Sequence, residues 1–463
     1  MTMLRSSDLD FFFRPRSIAV IGASSRPGKI GHESLRSLVM TGYNGKIYPV
    51  NPLAAEILGL KAYPTILDIP DDVDMAVITL PSKAVPDAVR QCVEKGVKAI
   101  VIISGGFGES GPGGKRLEEE IVKIAREGGA RIVGPNCIGI FDGHSRVDTS
   151  FQPHERMGRP GPGKAAFLSQ SGTFGATFLD WAAEDSLGVS KMVSLGNRAD
   201  VDEADLINYL SGDEETAVIG VYIESFTRGR ELFESIRKCR KPVIIYKASK
   251  TEKGATAAVS HTGKMVAEHE LAVSALRQAG ALVVDSFSEV YASVKAIVKQ
   301  PVPPKGGLVM VTNGAGPCVM AADELSLLNV PLAELSDQTR SKLSQSLPPY
   351  ALVGEFAIDL TGSANSDNYL KAIDVLVGSP EVGMIGVFVV FQDSPLEEDF
   401  VKRLASTEFN GKPVLVFAAG GRYTREKRRF LEAQGVPTYD DVREFSIAAK
   451  ALYWASYRLS HGK

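Results

Sequence analysis

Short apolar runs recur along the chain, each closed by glycine, serine, proline or asparagine and followed by a stretch of helical period. The first set is Ile18-Ala19-Val20-Ile21, Ile47-Tyr48-Pro49-Val50, Met75 to Leu80, Ala99 to Ile103 and Ala130 to Val133. The second is Ala165 to Leu168, Lys191 to Leu195, Val218 to Ile223, Pro242 to Tyr246 and Ala281 to Val284. The third begins with Leu308 to Thr312, with further strands at 384–391 and 413–418. Apolar runs of this length between turn signals are the mark of strands buried on both faces, as in parallel sheets covered by helices. Helical periodicity separates them, for instance at 85–95, 115–127, 266–278 and 287–299. The pattern predicts an α/β chain with parallel sheets in three segments, 8–143, 163–298 and 306–463. The glycine- and proline-rich stretches Glu155 to Gly163 and Pro301 to Gly307 read as linkers.

Composition narrows the function. At 463 residues a single core is too small a unit, which agrees with several domains. A formal net charge of -3 gives no electrostatic case for nucleic acid. No apolar run approaches the ~20 residues of a membrane helix, and residues Met1 to Asp8 lack the apolar core of a signal peptide. The four cysteines, Cys92, Cys137, Cys239 and Cys318, form no CxxC pair, so no metal site is expected and a reducing cytoplasm is.

The candidate chemistry lies in the turns. In the first segment, Gly22-Ala23-Ser24-Ser25-Arg26-Pro27-Gly28-Lys29 joins a strand to a helix, a setting in which free backbone N–H groups suit phosphates. The dinucleotide fingerprint is absent: Ser24 stands where the second glycine belongs, and the strand ending at Asn51-Pro52 lacks the acidic residue that holds a ribose. Lys46, opening that strand, reads as a cation for a phosphate. Leu80-Pro81, Ser104-Gly105-Gly106 and Gly134-Pro135-Asn136-Cys137 close other strands of the same sheet, on the edge where such sheets bind ligands. A tight turn needs glycine regardless of any ligand, but four such loops on one edge favour one.

In the second segment, Ser169-Gln170-Ser171-Gly172-Thr173 precedes a helix. A simple helix cap needs one hydroxyl, not three, so this reads as a second anion site. Glu224 ends a buried strand, where a carboxylate needs a partner; Arg228 is one candidate. The other is His261, in the small, polar stretch Ala258 to Lys264 beyond the strand ending at Lys247. A carboxylate bonded to one imidazole nitrogen fixes the tautomer, leaving the other to attack phosphorus. The plain alternative is a surface histidine in a polar loop. In the third segment, Asn313-Gly314-Ala315-Gly316 is a further glycine-rich turn opening a helix.

Taken in order, Val20 to Ser24, Lys46 to Pro52, Gly134 to Gly139, Leu168 to Thr173, Ser260-His261-Thr262-Gly263 and Thr312 to Gly316 resemble the NDP-forming acyl-CoA synthetase superfamily, the relatives of succinyl-CoA synthetase. Within it the pattern is most similar to alpha subunits of ADP-forming acetyl-CoA synthetases. The resemblance implies a Rossmann-like CoA-binding domain followed by two flavodoxin-like domains, the first carrying a phosphohistidine and the last of ligase type. It implies a reversible conversion of acyl-CoA, ADP and phosphate to a carboxylic acid, CoA and ATP. His261 is then the phosphorylated residue on a swinging loop and Glu224 its orienting carboxylate. Ser169 to Thr173 and Asn313 to Gly316 hold phosphate and phosphohistidine. Gly22, Ala23, Ser24, Lys29, Lys46, Leu80, Pro81, Ser104, Gly105 and Gly106 hold CoA, with Asn136 and Cys137 near the thioester. It further implies an ATP-grasp beta subunit carrying ADP or ATP and magnesium, in a two-alpha, two-beta assembly. The stretch Phe356 to Gly362 lacks the Asn-Pro pair that many relatives place before the acidic residue. A non-catalytic CoA-binding regulatory module, a single-chain ligase and an NAD-dependent oxidoreductase remain as alternative readings.

Overall fold

The computed structural model describes residues 6–254, 256 and 269–461. It divides into two compact units, one running to Ala183 and resuming over Gly188–Asp285, the other made of Glu184–Leu187 and Ser286–Lys463.

The first unit holds two large sheets and a two-stranded ribbon, Glu56–Ile57 with Leu60–Lys61. One has five parallel strands in the order Lys46–Val50, Ser17–Ile21, Met75–Ile78, Ala99–Ile102, Arg131–Val133. Its inner strands are buried end to end, as their unbroken apolar sequence requires. The other runs Leu282–Val284, Val243–Lys247, Val218–Ile223, Pro162–Ser169, Val189–Ser194, all parallel, and then adds the antiparallel pair Ile140–Asp142 and Val147–Asp148. That hairpin straddles residue 143, where the apolar pattern marks the end of the first segment. Its strands are only three and two residues long, too short for periodicity to register.

The two sheets are stitched through the backbone. Asn197 N donates to Pro135 O (2.9 Å), Ala199 N to Gly134 O (3.0 Å) and Val201 N to Ile132 O (3.1 Å). Asp200, fully buried as a side chain, accepts from Arg131 Nε at 2.8 Å, Arg126 at 2.8 Å and Ile132 N at 2.9 Å. Loops leaving the carboxyl ends of the two sheets are thereby held side by side.

The second unit contains the six-stranded sheet Leu352–Val353, Ala357–Asp359, Gly307–Thr312, Val382–Phe388, Val414–Phe417, Thr438–Tyr439, parallel except for its first strand. The helix Phe287–Lys299 belongs to this unit and packs on the last helix, Val442–His461. Its Lys295, a buried ammonium, donates to Glu432 Oε1 (2.9 Å) and Thr438 O (2.8 Å), and Lys299 donates to Glu432 Oε2 (2.6 Å). Among the described residues no helix is long and apolar enough to cross a membrane.

Candidate functional site

Two adjoining cavities in the first unit share Ile30. The outer one, about 510 Å³, is bounded by Gly22, Ser24, Ser25, Arg26, Lys29, Asn51 and Thr79 among others. Its floor depends on close backbone approach. Gly22 sits at φ +89°, and a Cβ on Gly31, in the first turn of the helix Ile30–Met40, would lie 2.1 Å from Gly22 O. Asn51, which ends its strand where a ribose-binding acid would stand, instead donates to Ala23 O at 2.7 Å and braces the turn. Arg26 and Lys29 supply exposed positive charge beside it.

The inner cavity, about 390 Å³, lies where the carboxyl ends of the two sheets meet. Gly105, Asn136 and Cys137 come from the first sheet; Gln170 to Thr173 and Gly196 to Arg198 come from the second. The sequence reading treats Asn136-Cys137 and the Ser169–Thr173 turn as separate features, and the structure brings them together. The first turn of the helix Gly172–Glu184 opens onto this space, presenting N–H groups with no intrahelical acceptor.

Inside the turn the side chains divide by task. Ser169 Oγ donates to Ser171 O (2.7 Å) and accepts from Ser171 N (3.2 Å), so it shapes the turn. Gln170 holds the next strand end: its Nε2 donates to Ser225 O (2.9 Å), and its Oε1 accepts from Glu224 N (2.8 Å) and Ser225 N (3.2 Å). Ser171, Gly172 and Thr173 remain to face the cavity. The second unit repeats the construction. There Thr312 Oγ1 donates to Gly314 O (2.8 Å) and accepts from Gly314 N (2.9 Å) ahead of the helix Ala315–Leu327. Asn313 is fully engaged with Tyr369, Val390 and Asp393.

Cys137 is a buried thiol donating to Ile102 O at 3.3 Å, and burial pushes its pKa up to about 12. It stays protonated at neutral pH and is a poor nucleophile. Asn197 joins the walls: its Nδ2 donates to Glu109 (2.5 Å) and Glu118 (2.8 Å), and its Oδ1 accepts from Asn136 at 3.3 Å. Burial pushes the Glu109 carboxyl up, but bonds from Asn197 and the N–H groups of Gly106 and Phe107 outweigh it and hold it below its ordinary value. Arg198 donates to Ser225 O (2.7 Å) and Ser225 Oγ (2.7 Å), reaching the residue after Glu224. Sequence reasoning passed over Gly196, Asn197 and Arg198, although a glycine just past a buried strand is the signal it used elsewhere.

Glu224 is buried, and its Oε1 accepts from Tyr222 Oη at 3.2 Å. Arg228, its neighbour in sequence, turns away to Asp202 (2.7 Å to Nε) and Asp205 (2.7 Å). Lys247 Nζ donates to Glu224 O at 2.9 Å. His261 lies outside the described residues.

The outer CoA candidates separate. Gly22, Ser24 and Lys29 border the outer cavity, and Gly105 the inner one. Ala23 is buried beneath the turn, Ser104 Oγ bonds Leu80 O, and Gly106 N is taken by Glu109. Pro81 precedes the short helix Ser82–Ala84. Lys46 is not brought to either cavity. It opens its strand opposite Ser17, whereas the cavity lies past the other end, and it is an exposed partner of Asp71 at 2.9 Å. In a parallel sheet only residues at the carboxyl ends of the strands reach the ligand edge. Lys46→Ala is therefore expected to change the Kd for CoA by less than about twofold in titration calorimetry, as for an exposed pair.

Residues 16–142 match the family described as a CoA-binding domain, and residues 162–297 the family described as a succinyl-CoA ligase-like flavodoxin domain. The chain is 39% identical to the acetate–CoA ligase [ADP-forming] II subunit alpha of Pyrococcus furiosus, over 96% of this chain and 97% of that one. The corresponding I subunit alpha of the same organism is 36% identical, over 98% and 99%. Among solved structures, a Ca. Korarchaeum cryptofilum dinucleotide-forming acetyl-coenzyme A synthetase 1 in complex with phosphate and ADP matches with a TM-score of 0.89 and 35% identity, covering 98% of this chain and 97% of that one.

Proposed function

The chain belongs to the ADP-forming acetate–CoA ligase family, and from that premise we infer the division of labour among its residues. It is the alpha subunit of an acid–thiol ligase that interconverts acyl-CoA, ADP and phosphate with carboxylic acid, CoA and ATP. The observation that carries the reading is the inner cavity. One wall, Asn136-Cys137, continues through Ile30 to the turn expected to take CoA, and the opposite wall is the amino end of a helix with free N–H groups.

A thioester lying along the two cavities places its carbonyl beside Asn136, with phosphate at Ser171 to Thr173. A phosphate oxygen forms a bond to the carbonyl carbon, and the carbon–sulfur bond breaks. CoA leaves as the thiol, taking up the proton phosphate gives up. The helix dipole and N–H groups stabilise the charge on the phosphoryl oxygens during this step. A neutral imidazole nitrogen of His261 then attacks phosphorus, the phosphorus–oxygen bond to the acyl group breaks, and the carboxylate departs. Glu224 accepts a hydrogen bond from the other ring nitrogen. Tyr222 supports it as a steady donor, because burial and the Glu224 charge hold its hydroxyl well above the ordinary tyrosine value. The buried Cys137 thiol takes no covalent part.

Transfer onward to ADP requires a nucleotide-holding partner subunit. An ATP-grasp chain carrying magnesium, two copies of each subunit, and a cytoplasmic setting follow from the same reading. Among the described residues no group of His, Cys, Asp and Glu could itself hold a metal.

The test is direct. The purified chain, with its partner subunit, is incubated with acetyl-CoA and radiolabelled phosphate. The expected result is protein-bound label that is acid-labile and base-stable, the signature of phosphohistidine. Bound acetyl-CoA without label in the complete system would leave a CoA-binding regulatory module as the account.

A further inference from the structure

Glu224 needs a countercharge that stays with it, and the structure supplies one from the neighbouring strand. Val218–Ile223 and Val243–Lys247 are parallel, with Ile223 paired to Lys247. Lys247 is completely buried. Its Nζ donates to the backbone carbonyls of Glu224 (2.9 Å) and Ala248 (2.5 Å) and lies 5.8 Å from the centre of the Phe226 ring. Ala248 N in turn donates to Ile223 O at 2.8 Å. Arg228 and Arg198, the two arginines near this turn, are committed elsewhere: the first to Asp202 and Asp205, the second to Glu203 and Ser225. A buried ammonium is costly and is seldom kept where an apolar side chain would pack.

We propose that Lys247 is a positioning residue for phosphoryl transfer, fixing the Glu224 turn through its backbone and acting as the standing countercharge to the Glu224 carboxylate. The inference rests on the functional reading above. In that reading Glu224 orients an imidazole and keeps its place after the imidazole has been phosphorylated. Tyr222 donates to the carboxylate but brings no charge, whereas Lys247, bonded to the backbone carbonyl of the same residue, brings one from a buried place. Burial pushes the Lys247 ammonium down to about 8, with the Glu224 charge acting in the opposite direction. The other ionisable groups around it are Tyr222 and Tyr246 on the two strands, Lys250 just beyond its own strand, and His269 with Asp285 behind it. Burial lowers His269, and the Lys247 and Lys250 charges lower it further. The device is therefore charged at neutral pH and loses its charge in mildly alkaline solution.

The experiment measures the single-turnover rate of protein labelling by radioactive phosphate from pH 6.5 to 9.5, in the complete alpha–beta enzyme with acetyl-CoA. The wild-type rate is expected to fall as pH rises through about 8. Lys247→Met is expected to label about 30-fold more slowly at neutral pH, with no alkaline fall and with KM for acetyl-CoA within about twofold of wild type. Lys247→Arg, which keeps a charge that does not titrate below about pH 12, is expected to recover part of the rate and also to lose the alkaline fall. CoA affinity by calorimetry checks that the variants fold. Should Lys247→Met fail that check, the wild-type profile and Lys247→Arg decide. Wild-type rates in the Met variant, or a wild-type profile flat through pH 9, overturn the proposal. Absence of label in the wild type at every pH overturns the functional reading itself, a result unlike either of those.

Discussion

Gly196→Ala is expected to destroy the inner cavity while leaving the chemistry of every other residue intact. The residue sits at φ +53°, and an added Cβ would lie 2.2 Å from Pro135 O and 2.4 Å from Asn136 O. Both obstacles are backbone, so no side chain can swing aside. The two loops can separate only by giving up the bond from Asn197 N to Pro135 O and those that follow it. Steric strain of this kind costs about 3 kcal/mol or more. For a unit of this size that lowers the thermal midpoint by roughly 6–10 °C. A shift of about 1 Å between Asn136 and Thr173 would also misplace phosphate against the thioester, so phosphate labelling should drop about a hundredfold. Gly113→Ala is the matched control. It lies in the helix Pro112–Glu127 with nothing within 4 Å of the added methyl, and both midpoint and labelling should be unchanged. Equal behaviour of the two variants in scanning calorimetry would show that the stitched loops do not organise the cavity.

His261→Ala is expected to abolish protein labelling, a loss of about a thousandfold or more, because no described side chain lining the cavity is a competent nucleophile at neutral pH. The informative part is what survives. If, as proposed, phosphate attacks the thioester in the inner cavity without the imidazole, the variant should still release close to one equivalent of CoA per chain on mixing with acetyl-CoA and phosphate. Free thiol appears as a burst and then stops, with acyl phosphate retained and no ATP formed when ADP and the partner subunit are added. A thiol-reactive dye follows the burst directly. If CoA release is lost together with the label, His261 acts before the thioester is cleaved and the order of steps given above is wrong.

The inner strands of this fold were readable because each is buried on both faces and so is written as a continuous apolar run; the two- and three-residue strands Ile140–Asp142, Val147–Asp148, Leu352–Val353 and Thr438–Tyr439 were not. Ile18 to Ile21, Val218 to Ile223 and Leu308 to Thr312 fall inside observed strands. The turns were readable too, since glycine and hydroxyl residues at strand ends have few other uses. What could not be read was their convergence. Asn136 and Thr173 line one cavity because residues 132–136 bond along residues 197–201, and nothing local at Gly196 announces a partner sixty residues away. Lys46 is the opposite case. Its charge suggests a phosphate, and the structure sets it at the start of its strand, paired with Asp71 and away from either cavity. Arg228 stood only as the plain alternative partner of Glu224, and it turns instead to Asp202 and Asp205. Lys247, at the end of the next strand and adjacent in the sheet, donates to the backbone carbonyl of Glu224.

The helix Phe287–Lys299 has a bearing on how such chains can be cut and recombined. The match to the succinyl-CoA ligase-like family runs to residue 297, which suggests a natural boundary after the helix. The packing puts the boundary before it, at Asp285 and Ser286. A chimera spliced near residue 300 would draw this helix and the last helix from different parents, and with them Lys295 and Glu432. One spliced at 285 keeps the helix with its partners in the second unit, and only Asp185, which Tyr291 and Lys295 also bond, stays with the other half. Recombination between such chains should therefore be tolerated better at that position than near 300, whatever the borders of sequence similarity suggest.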